Sequence, residues 1–567
     1  MTDTTNHVTE EQGTSSAARI GWAVLILATL YVCYFSHLGA IGFVGPDEPR
    51  YAWIARDMME TGDWITPRLY GKPWFEKPVL YCWGAALCFK LFGVSEAAAR
   101  LPSAVSALLA TLALAWLALH LYGAETARWL LLLLPTTVGM IGFSHAAAPD
   151  MPFSGMLTIA MVAAAVVIGL VPQTTAPSSF VSLTSSTSLA AVLFGFSLGL
   201  AVLAKGPAAI ILCGGTVFFW ALFTKRWRET LRLLHPTPIL AFCVTALPWY
   251  ILCARRNPDF FRVFIIEHNF KRYLTPEFQH IQPFWFYVPI LLVALLPWTA
   301  LLLWSGSLGT LRLWREKRLS SSTTYFLSWA LFAIVFFSVS KSKLPGYILP
   351  ALPAIGLLIA QDLSNRLQKR LGDVRWLCLG VGLSFVGLGL LVNHLSDRIP
   401  FVTDIRPAPT VTQFTALLVL GGVVVGIMGI ARPGRVAMVI AAIVLPFFMV
   451  CGTGNLWQLD AGISARPAAQ GATDHLPSQE LNTATTYKLQ RGATFALNFY
   501  LHRELTEWTP PVGHSSIVFT TQKGSRELEQ MGIRCFSYLV HPAVGICADS
   551  STIPNLPART PDSGKPQ

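Results

Sequence analysis

Asp47, Glu48, Arg50 and Tyr51 fall within the five-residue run DEPRY, directly after the first long apolar stretch of the chain. Two acids and a guanidinium are expensive at a membrane–water boundary, and such charges usually mark a functional cavity. Acids in a first helical turn also complement the helix dipole, and Pro49 suits that turn, but neither effect explains the charges that cluster downstream. Glu76 and Lys77 follow in GKPWFEKPVLYCW, among Trp74, Phe75, Tyr81 and Trp83. The rings are ordinary interfacial residues. The Lys is a point charge suited to phosphate, and the Glu can steer an ammonium or hold a cation. Asp150 in AAAPDMPF reads either as a helix N-cap or as a second site acid. Lys205 in AKGPAA, with Lys341 and Lys343 in SKSKLPGYILP, stands between apolar runs. The segment ARRNPDFFRVFIIEHNFKRYLTPEF adds Arg255, Arg256, Arg262, Glu267, His268, Lys271 and Arg272. A helix from Pro258 would set Phe261, Phe264 and Ile265 on an apolar face with Arg262 and Glu267 off it, and many of these charges read equally as a headgroup-facing rim. Taken together, bases beside acids suit a site that handles phosphate with a sugar or an amine.

The elements that position these residues are membrane spans. Of 567 residues, 53% are hydrophobic and 13% charged, where a soluble domain carries about 25% charged. With a mean hydropathy of +0.52, the chain is a polytopic membrane protein, and a soluble enzyme or disordered scaffold is excluded. Candidate spans run from 20–44 through 98–121, 128–146, 152–171, 188–204, 206–224, 237–254, 284–306, 324–340, 344–361, 376–392 and 411–430 to 436–453, thirteen in all. Each approaches the roughly 20 residues a bilayer requires. With residues 1–19 as a cytoplasmic tail, Lys225, Arg226, Arg228, Arg232, Arg312, Arg315, Lys317, Arg318, Arg366, Lys369, Arg370, Arg375, Arg432 and Arg435 all fall in four short cytoplasmic loops. That is the positive-inside pattern. It accounts for most of the net charge of +12 and removes nucleic acid as a partner.

On this topology the catalytic body is 20–453, with long external loops at 45–97 and 255–283. The first loop holds two amphipathic, membrane-lying stretches, 48–60 and 74–92. Residues 454–550 form an external α/β domain, with strands at 515–520 and 536–540 and a helix at 525–531, and 551–567 are disordered. Cys535 and Cys547, the two cysteines of this tail, are either a disulfide or two buried thiols.

An acidic motif after span one, a second acid before span four and a membrane-lying first loop resemble the GT-C glycosyltransferases, relatives of the protein O-mannosyltransferases. DEPRYA at 47–52, GKPWFEKPVLYCW at 71–83, AAAPDMPF at 146–153, AKGP at 204–207, EHNFKRY at 267–273 and SKLPGYILP at 342–350 are similar to motifs of the lipid A 4-amino-4-deoxy-L-arabinose transferases. The resemblance implies transfer of aminoarabinose from undecaprenyl phosphate to a lipid A phosphate, at the periplasmic face of a bacterial inner membrane, by a monomer. The product resists polymyxin and other cationic peptides. Asp47, Glu48 and Asp150 become the catalytic acids. Arg50, Tyr51, Glu76, Lys77, Lys205, His268 and Tyr347 become donor-binding residues, with Arg262 added on charge alone.

Cations should stabilise charge developing on the phosphate leaving group, and a phosphate-monoester acceptor is already largely ionised near pH 7. Asp47 therefore acts either as a base or as the group orienting the donor ammonium. The expected course is direct inverting displacement, with a glycosyl-Asp intermediate the retaining alternative. No cofactor is required; Glu76 and His268 are a conceivable site for a divalent cation, without ligand spacing to support it. Transfer of hexosamine to lipid A, transfer of mannose to protein, and a non-catalytic lipid flippase are the other readings.

Overall fold

A computed structural model describes residues 16–171, 185–271, 282–307, 319–369, 374–396, 409–432, 434–451, 456–509, 517–536 and 544–548. The expected disorder of 551–567, the tail before 16, Lys317 with the basic residues around it, Arg370, Arg272, residues 515–516 of the expected 515–520 strand and all but the first residue of the 536–540 strand lie outside these. The side chains of Ile265, His268 and Lys271 do so as well.

Long apolar helices dominate. Helix α1 (Ser16–Phe35) leads into α2 (Asp47–Thr61), α3 (Leu80–Phe92), α4 (Glu96–Tyr122), α5 (Ala124–Leu133), α6 (Val138–Ser144), α7 (Asp150–Val167), α8 (Ser185–Lys205) and α9 (Ala208–Thr224). Among the described residues nine helices are long and apolar enough to cross a bilayer, fewer than the thirteen expected. The difference lies in broken and short elements. Helices α5 and α6 bend by 63° across a four-residue break containing Pro135, which cannot continue the ladder. Ala208–Thr224, Phe284–Ala294 and Arg435–Cys451 are apolar but shorter. Helix α7 is almost wholly buried and packs on α4 and α8, so the body is built around the helix that starts at Asp150. Large apolar side chains such as Leu27, Leu240 and Leu383 face outward, as a lipid-facing surface requires.

The first loop folds for local reasons. Asp47 and Glu48 occupy the first turn of α2, and Gly62 closes it at φ 71°, its N–H returning to Met58. A hairpin follows, β1 (Arg68–Leu69) paired with β2 (Lys72–Pro73). Its turn residues Tyr70 and Gly71 take φ of 53° and 75°, the positive angles of a type I′ turn. Helix α3 begins at Leu80, not at residue 74 as expected, because Pro78 holds the residues before it out of helical geometry.

At the far end β3 (Thr485–Tyr487), β4 (Thr506–Glu507), β5 (Ile517–Thr520), β6 (Arg534–Phe536) and β7 (Gly545–Ala548) form one sheet in the order β4-β3-β5-β7-β6. The helix Arg491–Leu501 crosses between the parallel strands β3 and β4. Cys535 lies opposite Cys547 in the β6–β7 register, and the two are joined as a disulfide.

Candidate active site

Residues 36–46, between α1 and α2, form a strap held from two sides. From the helical body Arg100 spends its five N–H groups on the strap and on Glu48 just beyond it. Nε and Nη2 donate to the two Glu48 oxygens, each at 2.8 Å. Nη1 donates to the carbonyls of Leu38 and Ile41, at 2.8 and 2.6 Å, and Nη2 also donates to that of Gly42, at 2.9 Å. Glu48 accepts in addition from the backbone N–H of Val44 at 2.8 Å and of Ala147 at 2.7 Å. From the other side Gly42 N donates to Asp460 at 2.6 Å and Phe43 N to the Tyr500 hydroxyl at 2.9 Å. Arg466 joins Asp460, Glu96 and the carbonyls of Gly39 and Ala40. Gly42 is required here: a Cβ would lie 2.5 Å from Ser464 Oγ and 2.8 Å from the Tyr500 hydroxyl.

Glu48, expected among the catalytic acids, is therefore a fully bonded structural group, buried in its pair with Arg100. Asp47 differs. Its side chain is half exposed, and Arg50 pairs with it through Nη2. Arg50 is buried, donates through Nε to Pro46 O at 3.1 Å and approaches Glu76 Oε2 at 3.6 Å. Its guanidinium carbon lies 5.8 Å from the Trp74 ring and 5.6 Å from the Phe495 ring. Burial works against this charge, but the fields of Tyr51, Glu76 and Asp47 outweigh it and keep Arg50 a cation. Burial, reinforced by Asp47, pushes the Tyr51 phenol well up, so it remains a neutral hydroxyl packed edge-on against Trp74 and Tyr81.

Asp150, at the start of α7, receives Lys205 Nζ from the end of α8 at 2.5 Å. Lys205 also lies 4.5 Å from the Tyr347 ring and 5.6 Å from that of Phe153. Gly346 lets the backbone pass close, since a Cβ there would meet Asp150 Oδ1 at 2.6 Å. Asp47 and Asp150, distant in sequence, line one cavity of about 540 Å³ with His37 and His145. Phe143, Phe414, Phe448 and Met449 form its apolar side. An acidic end joined to an apolar wall suits an amphiphile carrying a polar, cationic head.

Other expected residues stand elsewhere. Lys77 is half buried beside Glu76. Arg262 is exposed and pairs locally with Asp259 at 3.0 Å and Glu267 at 3.1 Å. The helix from Arg262 is π-type; Phe260, just before it, and Phe264 are buried and stack at 5.6 Å, while Phe261, expected on the apolar face, is exposed. Lys343 is buried and donates to Ser340 O and Gln282 O. Among the described residues no cluster of three or more His, Cys, Asp or Glu is placed to hold a metal; the His268 side chain lies outside that set. Arg100, Phe495 and the Asp460–Arg466–Tyr500 group went unread in the sequence. Arg100 had a signal, as an arginine inside the external end of an expected span, the same anomaly that singled out Lys205.

Residues 20–264 match the dolichyl-phosphate-mannose-protein mannosyltransferase family. The undecaprenyl phosphate-α-4-amino-4-deoxy-L-arabinose arabinosyl transferase of Enterobacter sp. (strain 638) is 32% identical over 343 residues, 60% of this chain and 59% of that protein. The Pseudomonas aeruginosa (strain UCBPP-PA14) enzyme of the same name is 32% identical over 401 residues, 70% and 69% of the two chains. ArnT from Cupriavidus metallidurans, solved bound to undecaprenyl phosphate, superposes with a TM-score of 0.72 at 24% identity, over 96% of this chain and 99% of that one. The shared fold is GT-C, a helical multi-pass membrane body. On the Pseudomonas match, this chain belongs to the family of undecaprenyl phosphate-α-4-amino-4-deoxy-L-arabinose arabinosyl transferases.

Proposed function

We propose that the protein moves 4-amino-4-deoxy-L-arabinose from undecaprenyl phosphate to a phosphate of lipid A, at the periplasmic face of a bacterial inner membrane. The observation that carries this reading is the convergence of Asp47 and Asp150 on one cavity with an apolar wall. A polyprenyl donor brings a chain for such a wall, a phosphodiester for cations and an ammonium for carboxylates. Arg50, held among Asp47, Glu76, Trp74 and Phe495, is the preorganised cation for charge developing on the leaving phosphate, and Lys77, next in sequence to Glu76, is the second candidate cation for it. Asp47 keeps an oxygen for the sugar ammonium. Asp150, fixed by Lys205 and lining the same cavity, orients the sugar.

In the reaction an acceptor phosphate oxygen attacks the anomeric carbon as its bond to the undecaprenyl phosphate oxygen breaks, and the electron pair leaves with that phosphate. The acceptor is already ionised, so Asp47 holds rather than deprotonates, and inversion follows from direct displacement. Each transfer covers one acidic site with an ammonium, which lowers attraction for cationic peptides.

The test is the mass of lipid A from a transferase-deleted strain expressing this chain or its Asp47→Ala variant. The wild type should restore the aminopentose addition and the variant, at equal expression, should not. Appearance of a hexosamine mass would preserve the reaction class and change the sugar. No addition with donor and acceptor both present would overturn the transferase reading.

A further inference from the structure

The helix Arg491–Leu501 of the C-terminal sheet domain lies directly on the site. Its first turn rests on the strap: a Cβ at Gly492 would fall 2.9 Å from the Gly45 carbonyl carbon, two residues before Asp47. One turn later Phe495 turns its ring to Arg50, at 5.6 Å, and the same ring carries the Arg491 guanidinium at 5.2 Å. The two guanidinium carbons are thus no more than about 11 Å apart, with one aromatic ring touching both. Their settings are opposite. Arg50 is buried and held by two carboxylates; Arg491 is exposed, and among the described residues no carboxylate pairs with it.

Charge makes this arrangement consequential. Asp47, Glu76 and Arg50 together carry an excess negative charge, and Asp150 with Lys205 adds none. A phosphate monoester approaching a sugar held by these acids meets repulsion unless a cation stands on the attacking side. Displacement between two phosphates needs a clamp at each end of the reacting line, one for the oxygen that leaves and one for the oxygen that arrives.

We infer that Arg491, seated on Phe495, is the acceptor-phosphate clamp, so that the C-terminal domain supplies the second substrate's binding residue while Arg50 serves the first. The inference rests on the transferase reading above. The fork of a guanidinium suits two phosphate oxygens at once, and its aromatic seat lowers the entropy lost on binding.

The test uses the full-length enzyme in phosphatidylcholine vesicles with the aminoarabinose donor and lipid A, varying each substrate in turn. Arg491→Ala should raise the acceptor KM about ten-fold with donor KM and kcat within about two-fold. Arg491→Lys should fall between, and Phe495→Leu should raise acceptor KM less than Arg491→Ala. Because Arg491 is exposed, an unchanged melting temperature is expected for its variants. Equal increases in both KM values, or no change in either, overturns the inference. If the deficit of Arg491→Ala appears only when phosphatidylglycerol is added, the residue meets bulk anionic lipid and the inference also falls. A wild-type enzyme that transfers no sugar in this assay sinks the transferase reading itself, and is told apart from the other failures by that blank.

Discussion

Asp47 and Glu48 are neighbours on the first turn of one helix, and the structure gives them opposite work. Both border the same cavity, but Glu48 is buried and both its oxygens are occupied twice, by Arg100 and by two backbone N–H groups. Asp47 points to the cavity, half exposed, and pairs with a guanidinium that Glu76 also attracts. A saturated carboxylate has nothing left to offer a ligand, whereas one with a free oxygen can bind charge without first breaking a bond. Chemistry in this motif therefore follows the unused hydrogen-bonding capacity of each acid.

The comparison breaks hardest at Glu48. Glu48→Ala leaves Arg100 buried without its counter-charge, a loss of about 3–5 kcal/mol, and leaves the strap only the carbonyl bonds of Arg100 on that side. Folded protein recovered as a monodisperse peak in detergent should fall sharply, and a thermal melt should show the same. Recovery equal to wild type would mean that the Glu48 carboxylate is not what holds the strap and Arg100 in place. Asp47→Asn should do the reverse. Its melting temperature should stay within about 2 °C of wild type, while transfer falls about 100-fold, as for loss of one preorganised charge contact. A stable Glu48 variant with normal folding and no activity would erase the distinction between the two acids.

The sequence made one half of this comparison readable. Charges stranded between apolar runs flagged Asp47, Arg50, Asp150 and Lys205 because the bilayer penalises them whatever the fold does around them. Which acid is satisfied depends on Arg100, which lies 52 positions from Glu48 and reaches it only once α3 packs on both α2 and α4. The same holds for Phe495 and Tyr500, whose contacts with the strap and α2 span the whole chain. Local geometry caused the smaller errors. Pro78 moved the start of α3, and the buried face of the turn after Pro258 carries Phe260 with Phe264, one position round from the expected Phe261. Composition sees apolar length, so it marks 128–146 as one stretch without seeing the 63° bend that divides it into α5 and α6.

Lys205 separates a charge that is merely tolerated from one that positions another. Lys205→Met keeps length and apolar contact with Phe153 and Tyr347 while releasing Asp150, so kcat/KM should drop about ten-fold from misplacement of the acid. Lys205→Arg should recover part of it, with the amount of folded protein unchanged. If Lys205→Met loses stability in proportion to activity, the pair belongs with Glu48 and Arg100 as a structural bond.

Asp63 gives the smallest effect and the finest test, because it is saturated like Glu48 yet lies at the loop surface. Its Oδ1 accepts from Ile65 N at 3.0 Å and Thr66 N at 3.2 Å, and its carboxylate meets Arg68 at 3.2 Å and Arg256 at 3.1 Å. Burial alone would raise its pKa, but these bonds and charges outweigh it and hold the group below the ordinary aspartate range. A depressed folded-state pKa contributes stability that is whole above the unfolded value, near pH 3.9, and is lost as pH falls through the lower folded value. Asp63→Asn keeps an oxygen for both backbone donors and removes only the ionic part, which at a solvated position is worth less than about 1 kcal/mol. The wild type should therefore melt slightly above the variant at a constant margin from pH 5 to 7, and the two curves should converge below about pH 4. A margin that grows on acidification would reverse the sign of the linkage and show that the Asp63 carboxylate is strained in the fold, unlike the saturated carboxylate of Glu48.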